Sequence, residues 1–309
     1  GSAGAVLGRF YALFALLMAF AMGAMAQSGA LADTFSAAFT LPRWRVGLVT
    51  AVLALAILLG GIRRIAEIST VLVPVMALLY LGGGLAVILG NLRRLPEALI
   101  LMLRCAVAPE AALGGALGIV TRREALRWGV ARSVFSNEAG LGSAAITAAC
   151  ADTEDPVKQG LISMTGVFFD TMVICTVTGL AICCSGTLGA ADGNGHPLTG
   201  AALTLRAFET VLGPLAPWLI GVALGLFAFT SVLGCAVQAE TTASYLLGPE
   251  AVRPCRVLYG LAVFAGAVIP MATVLQLADL ANALMAFSNL VCLLLLSGEI
   301  AGECGRKER

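Results

Sequence analysis

Charge is what this 309-residue sequence has least of. Asp, Glu, Lys and Arg make up only 12% of it, they nearly cancel to a net +1, and there is one histidine, His196. The arginines are scattered among prospective loops and helix ends instead of forming a stripe, which excludes a polybasic nucleic-acid surface. His196 stands among Gly193, Asn194, Gly195 and Pro197, the composition of an external turn. A lone histidine on a loop offers no Ser-His or Cys-His pairing, so neither enzyme chemistry nor a cofactor is expected. The nine cysteines have no metal-ligand spacing. Those inside apolar runs (Cys175, Cys183, Cys184, Cys235 and Cys292) read as small buried hydrophobes. The chain opens Gly-Ser-Ala-Gly with no basic region, short apolar core and cleavage site after it, and it is expected to be cut from something longer.

Apolar sequence is what it has in abundance. Hydrophobic residues are 59% of the chain and mean hydropathy is +0.95, more than a soluble core needs. Runs of bilayer-crossing length fall at about 8–32, 46–61, 70–91, 160–186, 216–247, 255–270 and 275–298. An eighth, interrupted run covers about 118–151. The expected fold is all-α, a polytopic membrane helix bundle of about eight transmembrane helices, in a multi-pass cell-membrane protein.

The interruption is the feature that points to function. Ser136-Asn137-Glu138-Ala139-Gly140-Leu141-Gly142-Ser143 places polar and glycine residues at membrane depth, where an unpaired polar group costs several kcal/mol unless something occupies it. A break between two half-helices is the recurring device by which secondary transporters hold substrate and coupling ion. Ser136, Asn137 and Gly140 are therefore candidate substrate contacts. Glu138 is open between complementing an ammonium, titrating, and locking the structure by pairing with Arg127 or Arg132, the last being favoured. The dinucleotide-like run Gly140-Leu141-Gly142-Ser143-Ala144-Ala145 has no strand before it and carries no such meaning. Gln27, deep in the first apolar run, either contacts substrate or joins two helices.

Orientation reads from the tail inward, because Arg306, Lys307 and Arg309 follow the last run and short basic segments stay cytoplasmic. The same count puts Arg253 and Arg256, Asp155 and Lys158, and Arg63 and Arg64 inside, and the His196 loop outside. Residues 93–132 then form an external connection despite their seven arginines. Apolar residues at helical spacing over about 94–106 suit a helix lying at the interface.

Residues 127–143, Arg-Trp-Gly-Val-Ala-Arg-Ser-Val-Phe followed by Ser-Asn-Glu-Ala-Gly-Leu-Gly-Ser, resemble the signature of the alanine or glycine:sodium symporter family. Collinear matches include Met25-Ala26-Gln27-Ser28, residues 60–66 and 74–80, Phe169-Asp170-Thr171, residues 227–234 and Leu277-Ala278-Asp279-Leu280. The resemblance implies the leucine-transporter fold, two inverted five-helix repeats whose first helices are broken at the midplane. On that scheme the chain holds core helices three to ten and lacks the first two. Residues 1–92 are then the remainder of the first repeat, 93–117 the external connection and 118–309 the second repeat, in one transporter domain.

The resemblance further implies sodium-coupled symport of a small neutral amino acid by alternating access. It puts a carbonyl and paired hydroxyls of core helix eight on one sodium site, here Phe227, Thr230 and Ser231, and Gln27 in the pocket. Hydroxyls adjacent in sequence and a carbonyl one turn earlier do converge on one point of a helix, although both hydroxyls would equally bond back to the preceding turn. The sequence departs from the family at Cys235, which replaces tryptophan and, if it lines the pocket, admits a larger substrate. Gly29 stands for asparagine, and Ala145 and Ala148 for proline and histidine. The competing expectations are a proton-coupled permease working through Glu138, and an inactive truncated fragment.

Overall fold

The computed structural model describes residues 2–107, 122–191, 193 and 195–307. Among the described residues there is no strand, only an isolated bridge between Ala191 and Pro197 that closes the His196 turn. Asn194 lies outside the described residues.

Helix α1 (Ser2–Met18), a π-helical stretch Ala19–Ala26 and α2 (Gln27–Phe39) run on as one long segment. A left-handed Thr40 ends it, and α3 (Arg43–Leu58) and α4 (Gly61–Gly90) form the next antiparallel pair. Then come α5 (Leu95–Val107), α6 (Arg122–Asn137) and the six-residue α7 (Ser143–Ala148). The next crossing is α8 (Pro156–Phe168), a π-helical stretch Phe169–Ile174 and α9 (Cys175–Ser185). The chain closes with α10 (Gly200–Leu212), α11 (Val222–Leu247), α12 (Val252–Val268) and α13 (Met271–Lys307). Local sequence explains several ends. Asp155 accepts hydrogen bonds from the Val157 and Lys158 amides at 3.0 and 3.1 Å, and Pro156 fills the first helical position, where its missing N–H is no loss.

Six of these segments are long and apolar enough to cross a membrane: Gly4–Phe39, Gly61–Gly90, Pro156–Ser185, Pro217–Leu247, Pro249–Val268 and Met271–Gly302. They match six of the eight expected runs. The run at 46–61 is the 16-residue α3. Of that at 118–151, residues 122–148 are α6 and α7 with the break between them and 118–121 lie outside the described residues; neither run is among the six helices long and apolar enough to cross a membrane. The helix expected over 94–106 is α5, packed against α9. The protein is thus an all-helical, multi-pass membrane protein. Its outward leucines and valines, such as Leu78, Leu85 and Leu89 on α4, form a surface suited to lipid.

The core is organised around α11, half of whose apolar window is buried, against 11% for Pro156–Ser185. Val232, Leu233 and Ala236 pack with Ala19 and Ala24, with Ala54 and Leu58 of α3, and with Tyr259 and Val263 of α12. A second cluster joins Met18 and Met22 to Leu141 in the break and to Ala278, Ala281 and Met285 of α13. The first segment therefore has α11 on one side and the break on the other.

Candidate functional site

Helix α6 stops because its chain turns left-handed. Glu138 has φ +54, Gly140 +79 and Gly142 +82, a region L-residues avoid and glycine enters freely. Three such residues within five are enough to end one helix at Asn137 and start another at Ser143. The turn is anchored: Leu141 is fully buried, its amide donates to the Glu138 carbonyl at 3.1 Å, and Asn289 of α13 donates its carboxamide to the Gly140 carbonyl at 2.9 Å. A Cβ on Gly142 would lie 2.7 Å from Asn289 Oδ1 and 2.8 Å from Tyr11 Oη, so its bareness is a requirement of packing as well as of φ.

Each polar side chain of the break has a defined partner. Ser136 Oγ donates to the Asp170 carboxylate at 2.9 Å, and Asn137 Nδ2 to Thr171 Oγ1 at 3.2 Å. Both acceptors lie in the π-helical stretch of the 156–185 crossing, where the wider turn re-aims side chains and frequently marks a functional position. Glu138 Oε2 accepts from Ser143 Oγ at 2.6 Å, across the break. The structure here differs from the favoured expectation for Glu138. Arg132 pairs with Asp279 of α13 and stacks over Phe135, while the glutamate bridges the two half-helices. The Tyr11 hydroxyl and Asn282 Oδ1 are buried with no hydrogen-bond partner among the described residues.

Gln27 is half-buried where the first π-helical stretch returns to α-helix. Cys235 sits where α11 crosses that stretch: a Cβ on Gly23 would be 2.1 Å from Cys235 Cβ. Gln27 stands one turn after Gly23 on the same segment, and Met22 and Met25 carry that segment into the hydrophobic cluster that holds Phe135 and Leu141. Farther along α11, Thr230 Oγ1 lies 3.0 Å from both the Leu226 and the Phe227 carbonyls and 3.7 Å from Met76 Sδ. Carbonyl and hydroxyl oxygens of the sodium expectation are therefore adjacent, with Ser231 next in sequence, but the Thr230 proton is directed back at its own helix. No hydrogen bond among the described residues joins this turn to Ser136 or Asn137. Tyr80 lies between them: it stacks edge-on against Phe227 at 5.8 Å and bonds Thr178 at 2.8 Å on the crossing that carries Asp170.

Sequence reasoning had not singled out Asn289, Thr171 or Asp170 as partners of the break. Asp170 had a readable signal, an acidic residue inside an apolar crossing. Asn289 and Thr171 had none, being ordinary polar residues of long helices. Among the described residues no cluster of three or more His, Cys, Asp or Glu is placed to hold a metal ion. The oxygen donors of the region are hydroxyls, carboxamides, backbone carbonyls and single carboxylates, which suit a hard monovalent cation and a zwitterion's ammonium.

Residues 1–305 match the family described as the Sodium:alanine symporter family. Similar proteins include an uncharacterized transporter of Haemophilus influenzae, 41% identical over 93% of the chain and 62% of its own length. The sodium/alanine symporter AgcS of Methanococcus maripaludis is 38% identical over 97% of the chain and 64% of its own length. The probable sodium/glutamine symporter GlnT of Bacillus subtilis is 37% identical over 93% and 59%. The chain spans about three-fifths of the length of these relatives.

Proposed function

The chain belongs to the sodium:alanine symporter family, a family of transporters and not of enzymes, and from that premise we propose that it forms the greater part of a symporter coupling inward sodium movement to uptake of a small neutral amino acid by alternating access. The observation that carries the reading is the break at 138–142, a left-handed turn between two helices that packs through Leu141 and Gly140 against the first segment and α13, two of the six segments apolar enough to cross a membrane. In this reading Ser136, Asn137 and Gly140 cradle the substrate's charged ends, Gln27 and Cys235 close the pocket from the first segment and α11, and Phe227, Thr230 and Ser231 ligate sodium. The arrangement is leucine-transporter-like, with core helices three to ten present, residues 1–92 in the first repeat, 93–117 as the external connection and 118–309 in the second repeat. The carboxyl terminus is cytoplasmic. Supporting it are the family, the break, the hydrogen bond of Asn137 to Thr171 in the second π-helical stretch, and the names of two relatives, which specify alanine and glutamine. The small Cys235 side chain favours a substrate bulkier than alanine.

The test is radiolabelled amino-acid uptake into proteoliposomes by the full native gene product that contains this chain. Uptake should require a sodium gradient and ignore a pH gradient. Asn137→Ala and Gln27→Ala should each raise the half-saturating concentration, because removal of a buried hydrogen bond costs roughly 1–3 kcal/mol. Uptake driven by protons and abolished by Glu138→Gln would replace the sodium reading with a proton-coupled one.

A further inference from the structure

Between α2, α3 and α11 lies a cavity of about 480 Å³. Leu31 and Phe35 of α2, Val49 and Leu53 of α3, and Leu226 and Phe229 of α11 supply most of its wall. Thr50, the one neutral polar residue there, spends its hydroxyl on the Val46 carbonyl at 2.8 Å, so the wall apart from Arg45 offers no free polar group. Arg45 is the one charged residue on its lining. It occupies the first turn of α3, three residues after the extended Pro42, and is exposed at that end of the groove. Its guanidinium lies 5.3 Å from the ring of the exposed Trp44, an aromatic of the kind that settles at the headgroup level. The neighbouring Arg43 is matched by Asp33 and the Ala267 carbonyl, whereas Arg45 has no carboxylate partner among the described residues. From Arg45 to Leu53 the helix rises about 12 Å, all of it apolar on the groove side.

An exposed cation at one end and an apolar groove running from it match one class of molecule. We propose that this groove binds an anionic phospholipid, its phosphate on Arg45 and one acyl chain between α2, α3 and α11. The charge complementarity sets the headgroup class, since a zwitterionic lipid brings its own cation to the same place. The chain would rest on Leu226 and Phe229, the back of the turn whose Leu226 and Phe227 carbonyls accept from Thr230.

Native mass spectrometry of the same full gene product, purified in mild detergent and given equal amounts of phosphatidylglycerol and phosphatidylcholine with identical acyl chains, tests this without any transport assay. Wild type should retain a lipid and prefer phosphatidylglycerol about fivefold, the contribution of one basic side chain at an anionic surface. Arg45→Gln should bring the ratio to about one, Arg45→Lys should keep most of it, and Val49→Trp, which fills the groove, should remove both lipids. Helix content and melting by circular dichroism verify each variant, with Leu53→Trp replacing Val49→Trp if the latter misfolds. An unchanged ratio in Arg45→Gln, or full lipid retention in the filled groove, overturns the proposal. A lipid-free dimer that disappears in Val49→Trp also overturns it, by giving the groove to a second copy of the chain.

Discussion

Asn289 holds the break from outside it, and its loss exposes what the turn depends on. With Asn289→Ala the Gly140 carbonyl loses its donor in a partly buried, apolar setting, at a cost of about 1–3 kcal/mol. The melting temperature in detergent should fall, and substrate affinity should fall with it. An unchanged melt would show that the carbonyl finds a replacement partner. Thr230 and Ser231 differ in kind. The Thr230 hydroxyl donates to its own helix, so its oxygen keeps lone pairs for a cation and contributes little to the fold. The double change Thr230→Ala and Ser231→Ala should leave melting nearly unaltered and weaken sodium dependence sharply, by removing two hard ligands from a place where water cannot replace them. Wild-type sodium affinity in that double mutant would withdraw both residues from the ion site.

Among the helices, the informative contrast lies between Gly129 and Gly142. Gly129 is helical within α6 and a Cβ there meets nothing within 4 Å, so Gly129→Ala should raise stability by roughly 0.5–1 kcal/mol through helix propensity. Gly142 has φ +82, and its Cβ would collide with Asn289 and Tyr11. Gly142→Ala should lower stability by at least ~1–2 kcal/mol from the left-handed conformation alone and displace the Asn289 clamp. Paired thermal melts check both signs, and a stable Gly142→Ala would mean that the turn relaxes into helix. The same comparison explains legibility at this scale. Glycines and polar residues marked the break at 136–143 because backbone strain is local. The π-helical stretches Ala19–Ala26 and Phe169–Ile174 were invisible, since Ala-Phe-Ala-Met-Gly-Ala-Met-Ala continues an α-helix equally well. What widens such a turn is the fit to its neighbours.

For the molecule as a whole, orientation is the property most directly open to test. Cys150 is exposed in the connection between α7 and α8, the same side as the carboxyl terminus by the count of crossings. With the exposed Cys175 and the tail residue Cys304 changed to serine, a membrane-impermeant maleimide should label Cys150 in inverted vesicles and not in intact cells, and adding Cys150→Ser should remove the signal. Cys184 and Cys255 are buried and should stay unreactive in both. Labelling of intact cells would reverse the assigned sidedness.

Composition and spacing were sufficient for the all-helical membrane class, six of the crossings and the position of the break, because hydropathy over a bilayer-length run and the steric demand for glycine act within a few residues of chain. The residues at 127–143 were sufficient for the family. Tertiary structure alone decided which partners the break uses: Asp170 for Ser136, Thr171 for Asn137, Asn289 for Gly140, and Asp279 instead of Glu138 for Arg132. Those pairings span 34 to 149 residues of sequence. They exist because a polar group in hydrocarbon must find whichever partner packing brings within 3 Å, and no local pattern in the chain records which one that will be.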